Sequence, residues 1–208
     1  MGNTRLLLLD LGNVLLEFSH LPIGEALARN ASVQVFQDPK EVIRYLFKGD
    51  QPAEAAFDEG KVSAFEFYEG LRSKMGLGLS FEEFSGVWNS IFLEKPGAGR
   101  VVELLKGKVG LHLLSNTNVL HFEHCLRQFP WLKKFDSFFL SYEMGLRKPD
   151  PEIYKMVLAR VGSKPEEILY LDDIPENLVP AQALGIRTEL VGPTQSLIEV
   201  LKNHFPFL

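Results

Sequence analysis

A single cysteine, Cys125, stands in the 208 residues, which excludes an internal disulfide and fits a reducing compartment. Long apolar runs are missing as well. Nothing approaches the roughly 18 consecutive apolar residues of a membrane span, so no membrane partner is expected. Positive charge is in deficit, with 22 Lys and Arg against 27 Asp and Glu and a net charge of −5. Phosphate-backbone binding needs clustered basic residues, so nucleic acid is not an expected partner. Near the N-terminus, Asp10 ends the leucine run after four residues and no small-residue cleavage pattern follows. Position 6 is Leu, where a myristoylation signal carries Ser or Thr. A cytoplasmic protein is therefore expected. Internal repeats and low-complexity linkers are also lacking.

What is present is an ordinary globular composition, 46% hydrophobic and 24% charged, with room for one main core and an inserted subdomain. The second half alternates short apolar runs with helical stretches: Val109–Ser115 then Val119–Phe129, Phe135–Leu140 then Pro151–Val161, Ile168–Leu171 then Glu176–Leu184, and Arg187–Val191 then Gln195–His204. That βαβ rhythm predicts an α/β fold on a parallel sheet. Gly107, Gly162 and Gly185 fall where helices should stop. Between Leu21 and Phe92 the pattern changes to amphipathic helices without a convincing buried strand. Helices are expected at Ala53–Phe57, Ala64–Met75 and Phe81–Phe92, with Ser63 and Ser80 as N-caps and a capping box from Ser80 to Glu83. Phe65, Phe67, Tyr68, Phe81, Phe84 and Trp88 are expected as bundle core.

Three apolar runs end in polar groups, and a basic pair stands before two prolines. Leu6–Leu9 lacks alternation, as suits a strand covered on both faces, and Asp10 follows where it would emerge into a turn. In open α/β sheets, ligands gather beyond such strand ends, so Asp10 is a candidate nucleophile. Leu113 and Leu114 lead into Ser115, Asn116 and Thr117, a hydroxyl and backbone N–H groups able to hold phosphate oxygens. Arg147 and Lys148 precede Pro149 and Pro151, which hold an extended loop and start a helix; a lysine fixed there could neutralise a phosphoryl group. Leu169–Leu171 ends in Asp172 and Asp173, adjacent carboxylates that repel unless a cation is near. With Asp10 they would form the oxygen-rich site Mg²⁺ prefers.

In this order the segments resemble the four motifs of the haloacid dehalogenase superfamily, over essentially the whole chain. The resemblance implies a Rossmann-like core from 1–20 and 93–208, and a helical cap from 21–92. Within the superfamily, Leu-Gly-Asn-Val, Ser-Asn-Thr-Asn and Arg-Lys-Pro are most similar to bacterial glucose-1-phosphatase-like sugar-phosphate phosphatases, and also to the N-terminal phosphatase domain of soluble epoxide hydrolases. It implies an Asp10 nucleophile that forms an aspartyl-phosphate. Mg²⁺ would be held by Asp10, the Gly12 carbonyl, Asp173, and Asp172 directly or through water. Ser115 and the Asn116 N–H would bind phosphoryl oxygens, and Lys148 would hold Asp10 and the phosphoryl group in line. The expected partner is a small phosphate ester, the oligomeric state being open, with a monomer one option.

The sequence departs from the pattern at Gly12, where most members carry a second Asp that protonates the leaving group. General acid–base help is typically worth about 10²–10⁴ in rate. Glu17 and His20 are candidate substitutes, against plainer roles as a hinge ion pair and a solvated histidine. His121 and His124, three apart after the second motif, are expected on a solvated helix face, because a zinc site would need more ligands. Cys125 is expected as buried packing. Two competing readings stay open: a metal-independent 2-haloacid dehalogenase, and a catalytically weak phosphate-binding pseudo-enzyme.

Overall fold

The computed structural model describes residues 4–206 and 208. Strand β1 (Leu6–Leu9) is fully buried. Its leucines alternate between two cores: Leu7 and Leu9 pack on one face of the sheet, Leu6 and Leu8 on the other. A strand covered on both faces needs apolar side chains at every position, so the absence of alternation is its signature. Strand β2 (Leu16–Phe18) follows at once. Then come the helices α1 (Leu21–Asn30), α2 (Pro39–Phe47), α3 (Ala55–Asp58), α4 (Ala64–Met75) and α5 (Phe81–Asn89). Strand β3 (Phe92–Glu94) closes this region by pairing antiparallel with β2, Leu16 opposite Glu94 and Phe18 opposite Phe92. The remaining elements are α6 (Ala98–Leu105), β4 (Gly110–Ser115), α7 (Val119–Gln128), β5 (Ser137–Leu140), α8 (Ser141–Met144), α9 (Pro151–Val161), β6 (Ile168–Asp172), α10 (Pro175–Ala183), β7 (Arg187–Leu190) and α11 (Leu197–Lys202).

The main sheet has the order β5-β4-β1-β6-β7 and every pair is parallel. Helices α6, α7 and α11 cover one face through Val101, Val102, Phe122, Leu197 and Leu201. The other face is covered by α9 and α10 through Ile153, Tyr154, Val157, Leu178 and Ala181. This is the α/β arrangement expected of a Rossmann-like core. Helix α9 has both ends marked in sequence: the Asp150 side chain accepts from the Glu152 N–H, Pro151 opens the first turn, and Gly162 takes the left-handed conformation (φ 65°) that stops it.

The helices α1 to α5 gather a third cluster that includes Ile23, Leu27, Phe57, Phe67, Leu71, Met75, Phe84 and Trp88. Ser63 and Ser80 are N-caps, each in a capping box, with Glu66 and Glu83 respectively. Of the expected aromatics Phe67, Tyr68, Phe84 and Trp88 are buried, whereas Phe65 is exposed. Besides Phe65, two expectations are corrected. Phe92 belongs to a strand rather than to the end of a helix begun at Phe81, because α5 stops at Asn89 and the chain turns back to pair with β2. His121 is buried rather than solvated. Its ring stacks on Trp88 at 5.2 Å, Nε2 donates to the Trp88 carbonyl (2.9 Å), and Nδ1 accepts from Asn118 Nδ2 (3.3 Å). Burial lowers its pKa to about 3, so the imidazole is neutral. His124 is only partly buried and Cys125 is buried, its thiol pushed up to about 12 by burial. No helix among the described residues is long and apolar enough to cross a membrane.

Candidate active site

The register of the sheet assembles the site. Leu9 of β1 lies opposite Leu113 of β4 and Leu171 of β6, so the next residues along the three parallel strands, Asp10, Leu114 and Asp172, arrive at one level at the carboxyl edge. Lys148 reaches across that edge from the loop before α9. Its ammonium donates to Asp10 Oδ1 (2.7 Å), Asp172 Oδ2 (2.6 Å) and the Leu114 carbonyl (3.2 Å), which uses all three of its protons. The side chains of Lys148 and Asp172 are almost fully buried, and Asp10 nearly so. The backbone of Lys148 is fixed by Asn116, whose Oδ1 accepts from the Lys148 N–H (2.8 Å) while Nδ2 donates to the Lys148 carbonyl (2.9 Å). The second and third sequence motifs are thereby tied together.

Asp172 has both oxygens committed. Oδ2 accepts from Lys148 and the Tyr170 hydroxyl, Oδ1 from the Ile174 N–H (2.9 Å) and Asn177 Nδ2 (3.0 Å). Burial alone would raise this carboxyl, but the Lys148 ammonium and these bonds hold it below the ordinary range. Lys148 moves the other way: burial disfavours its charge, yet Asp10 and Asp172 hold it above its usual value. Asp10 is different again. Burial, with Asp172 and Asp173 adding repulsion, outweighs the Lys148 charge and raises its pKa to about 7. Burial is also the main reason that Asp173 is raised, against the bond from Asn13 Nδ2 to its Oδ2 (2.9 Å). Carboxylate oxygens of Asp10, Asp172 and Asp173 lie within 4.8 Å of one another. Three carboxylates against one ammonium leave a net negative, oxygen-lined cluster, a donor set that fits a hard divalent cation. Among the described residues the Asp10 carboxylate accepts one hydrogen bond, at Oδ1, so its other oxygen is uncommitted. The Gly12 carbonyl accepts from the Val14 N–H (2.7 Å) and keeps a second lone pair.

A cavity of about 240 Å³ opens over this edge, small enough for a metabolite rather than a polymer. Asp10, Gly12, Ser115, Asn116, Lys148 and Asp173 line it, and the helical region adds His20, Glu54, Asp58, Ile91 and Phe92. Asp172 supports the floor from behind through Lys148. Of the two candidate substitutes for an acid at Gly12, His20 lines the cavity and Glu17 does not. His20 stacks on Phe47 (3.7 Å, 3° between planes), and burial lowers its pKa to about 4. The space an Asp side chain would take at Gly12 is filled: a Cβ built there would lie 2.6 Å from Phe18 Cε1.

Sequence reasoning passed over several positioning residues. Buried Lys95 donates to the Asn13 carbonyl (2.7 Å) and secures the turn after Asp10. Tyr170 and Asn177 orient Asp172, and the Tyr170 hydroxyl gave a signal, since a tyrosine inside a buried strand needs a partner for its O–H.

Residues 4–185 match the family model described as haloacid dehalogenase-like hydrolase. The chain belongs to this family. The chain is similar to the D-ribitol-5-phosphate phosphatase of Bacteroides thetaiotaomicron, 32% identical over 140 residues, which are 63% of this chain and 67% of that protein. Bifunctional epoxide hydrolase 2 of Rattus norvegicus is 43% identical over 69 residues, 33% of this chain and 12% of that enzyme, so the chain matches only a small part of that much longer protein. Among solved structures, a family member from Bacteroides thetaiotaomicron in complex with magnesium and inorganic phosphate superposes with a TM-score of 0.82 at 30% identity, covering 93% of this chain and 97% of that one.

Proposed function

We propose that this hydrolase is a Mg²⁺-dependent phosphomonoesterase acting on small phosphorylated metabolites, sugar phosphates above all, through an aspartyl-phosphate on Asp10. The observation that carries the proposal is the buried Lys148 ammonium bridging Asp10 and Asp172, with Asp173 close beside them at the mouth of a metabolite-sized cavity. Lys148 occupies Oδ1 of Asp10, so the other oxygen is the one free to attack phosphorus. The new O–P bond forms as the ester P–O bond breaks, and the departing oxygen takes its proton from water because Gly12 has none to give. Water then attacks phosphorus, releasing phosphate and restoring the carboxylate. The Ser115 hydroxyl and the Asn116 N–H donate hydrogen bonds to the phosphoryl oxygens.

Asp10, Asp173 and the Gly12 carbonyl would hold the metal, and Asp172, its oxygens already engaged, would act mainly by holding Lys148. When bound, the cation supplies positive charge that keeps Asp10 ionised and lets two anions meet. The relatives named above, a pentitol-phosphate phosphatase and an enzyme solved with magnesium and phosphate, support this reading. The helices between residues 21 and 92 act as a cap, and the β2–β3 pair, which carries the chain out and back, is the hinge. The test is a panel of phosphate esters with Mg²⁺ and with chelator, run beside 2-chloropropionate. Phosphate release that requires Mg²⁺ is expected. Chloride release without metal would make the chain a dehalogenase, and no turnover of either would make it a phosphate-binding protein.

A further inference from the structure

The cavity carries a second group of charges that the chemistry at Asp10 does not use. Glu54 and Asp58 stand one helical turn apart at the two ends of α3, and both line the cavity together with Arg147, the neighbour of Lys148. Asp58 is held firmly on one side only: Oδ1 accepts from Asn118 Nδ2 at 3.0 Å, while Oδ2 faces Arg147 Nη2 at 3.5 Å, a loose ion pair. The protein leaves the rest of the group unsatisfied. Among the described residues no hydrogen bond engages the Glu54 carboxylate, and the buried Nε of Arg147 has no partner. Buried polar groups without hydrogen-bond partners are expensive, and a polar ligand in the cavity would complete the set.

The chemistry of that ligand follows from the two walls. Asp58 and Arg147 offset one another, and burial beside Asp58 raises the Glu54 carboxyl well above its ordinary range, so the wall has no spare positive charge for a second anionic group. Hydroxyl groups suit it, because each can donate to a carboxylate and accept from a guanidinium. Phe18, Ile91 and Phe92 offer apolar surface to the same cavity, which matches the C–H faces of a carbon skeleton.

We propose that Asp58 and Glu54 are specificity-determining residues that accept hydrogen bonds from the hydroxyls of a neutral, polyhydroxylated leaving group, Arg147 donating to the hydroxyl oxygens in return. The enzyme then selects polyol and sugar phosphates over esters that lack hydroxyls and over esters that carry a second negative charge. This inference rests on the phosphatase reading.

The experiment compares kcat/KM of the full chain with Mg²⁺ for a hexose or pentitol phosphate, for acetyl phosphate and for 3-phosphoglycerate, in wild type, Asp58→Asn and Glu54→Gln. In each variant the preference for the polyol phosphate over acetyl phosphate should fall about tenfold or more, chiefly through KM, as expected when hydrogen bonds to charged groups are lost. In Asp58→Asn, which removes the negative charge paired with Arg147, the relative rate on 3-phosphoglycerate should rise. Equal losses on all three esters would make the two acids structural parts of the fold and overturn the proposal. If Asp58→Asn does not fold, Glu54→Gln decides, since among the described residues the Glu54 side chain makes no hydrogen bond for the change to break. Failure of wild type to hydrolyse any of the three would instead overturn the phosphatase reading and this inference with it.

Discussion

An enzyme with glycine where a positioned acid usually stands should depend steeply on the acidity of the departing oxygen. A leaving group of low pKa needs little proton transfer in a transition state that is already loose, whereas a simple alkoxide needs a proton. Wild type is therefore expected to hydrolyse acyl, aryl and anomeric sugar phosphates faster than simple alkyl phosphates. Restoring the acid is the matching perturbation, and the structure fixes how it must be done. A Cβ at Gly12 would meet Phe18 Cε1 at 2.6 Å and Cδ1 at 3.3 Å. The Phe18 ring cannot simply swing away, because it packs against His20 at 5.1 Å and Phe92 at 6.1 Å. Gly12→Asp alone is thus an overpacking change, costing about 1–3 kcal/mol. At roughly 2–4 °C per kcal/mol for a chain of this size, its melting temperature should drop by several degrees.

Gly12→Asp combined with Phe18→Ala removes the clash and gives the carboxyl room. The double variant should speed alkyl phosphates selectively, by up to the roughly 10²-fold that begins the range for general acid help, and change aryl phosphates little. The assay is a plot of log kcat/KM against leaving-group pKa, with phosphorylation of Asp10 rate-limiting. A steep negative slope is expected for wild type and a shallower one for the double variant. A flat wild-type plot would refute the reasoning and mean that another residue supplies the proton. His20, Asp58 and Glu54, which line the cavity, would then be the positions to mutate, and Glu17, which does not line it, would not.

Asp10→Asn should lower turnover by about 10⁴-fold or more with the fold retained, since it removes the nucleophile with almost no change in volume; near-wild-type rates would remove Asp10 from the mechanism. Asp173→Asn should raise the Mg²⁺ concentration for half-maximal activity, while Asp172→Asn should act more on stability, by about 3–5 kcal/mol, because it breaks a buried pair with Lys148. Equal shifts in the metal titration and no loss of melting temperature in Asp172→Asn would reverse those roles. His121 carries a pH dependence whose sign is fixed. Its folded pKa of about 3 lies below the ordinary 6.5, so its neutral form contributes stability in full above about pH 6.5, and that contribution drains away as pH falls toward 3. At about 1.4 kcal/mol per pKa unit this amounts to a few kcal/mol. Asp58, raised to about 6 chiefly by burial, acts in the opposite sense, its contribution being lost as pH rises through that value. Urea midpoints of wild type and His121→Asn at pH 8 and pH 5 separate the two, and parallel curves would contradict the buried, neutral assignment.

Much of the core was legible because its signals are local. The unbroken leucines of β1 announce burial on both faces, and Asp150, Pro151 and Gly162 spell both ends of α9 within the helix itself. The polar ends of β1, β4 and β6 could be recognised for the same reason, since each closes an apolar run, and Lys148 was marked by the prolines that follow it. What escaped depends on distant partners. Strands β2 and β3 have three residues each, too few to show alternation, and pair across an insertion of more than seventy residues. His121 looked solvent-facing because the groups that bury it, Trp88 above all, come from another helix 33 residues earlier. Asp172 resembled Asp173 in sequence, yet only the folded chain brings Tyr170, Ile174, Asn177 and Lys148 onto its two oxygens.

The features that escaped the sequence join the helices of residues 21–92 to the candidate site. Asn118 shows how. Its Oδ1 accepts from the His121 N–H (3.1 Å) and from Trp88 Nε1 (3.4 Å), while its Nδ2 donates to Asp58 Oδ1 (3.0 Å) and to His121 Nδ1 (3.3 Å). One amide at the start of α7, three residues beyond Ser115, thus fixes a helix end, an indole, an imidazole and the carboxylate that we assign to leaving-group recognition. Asn116, two residues earlier, does the same for Lys148. The loop after β4 is therefore a common support for the proposed phosphoryl site and for the wall that we propose meets the rest of the substrate. A substitution at Asn118 should consequently impair discrimination among leaving groups as well as stability, because Asp58 loses the hydrogen bond from Asn118 to its Oδ1 while Asn116 still secures Lys148.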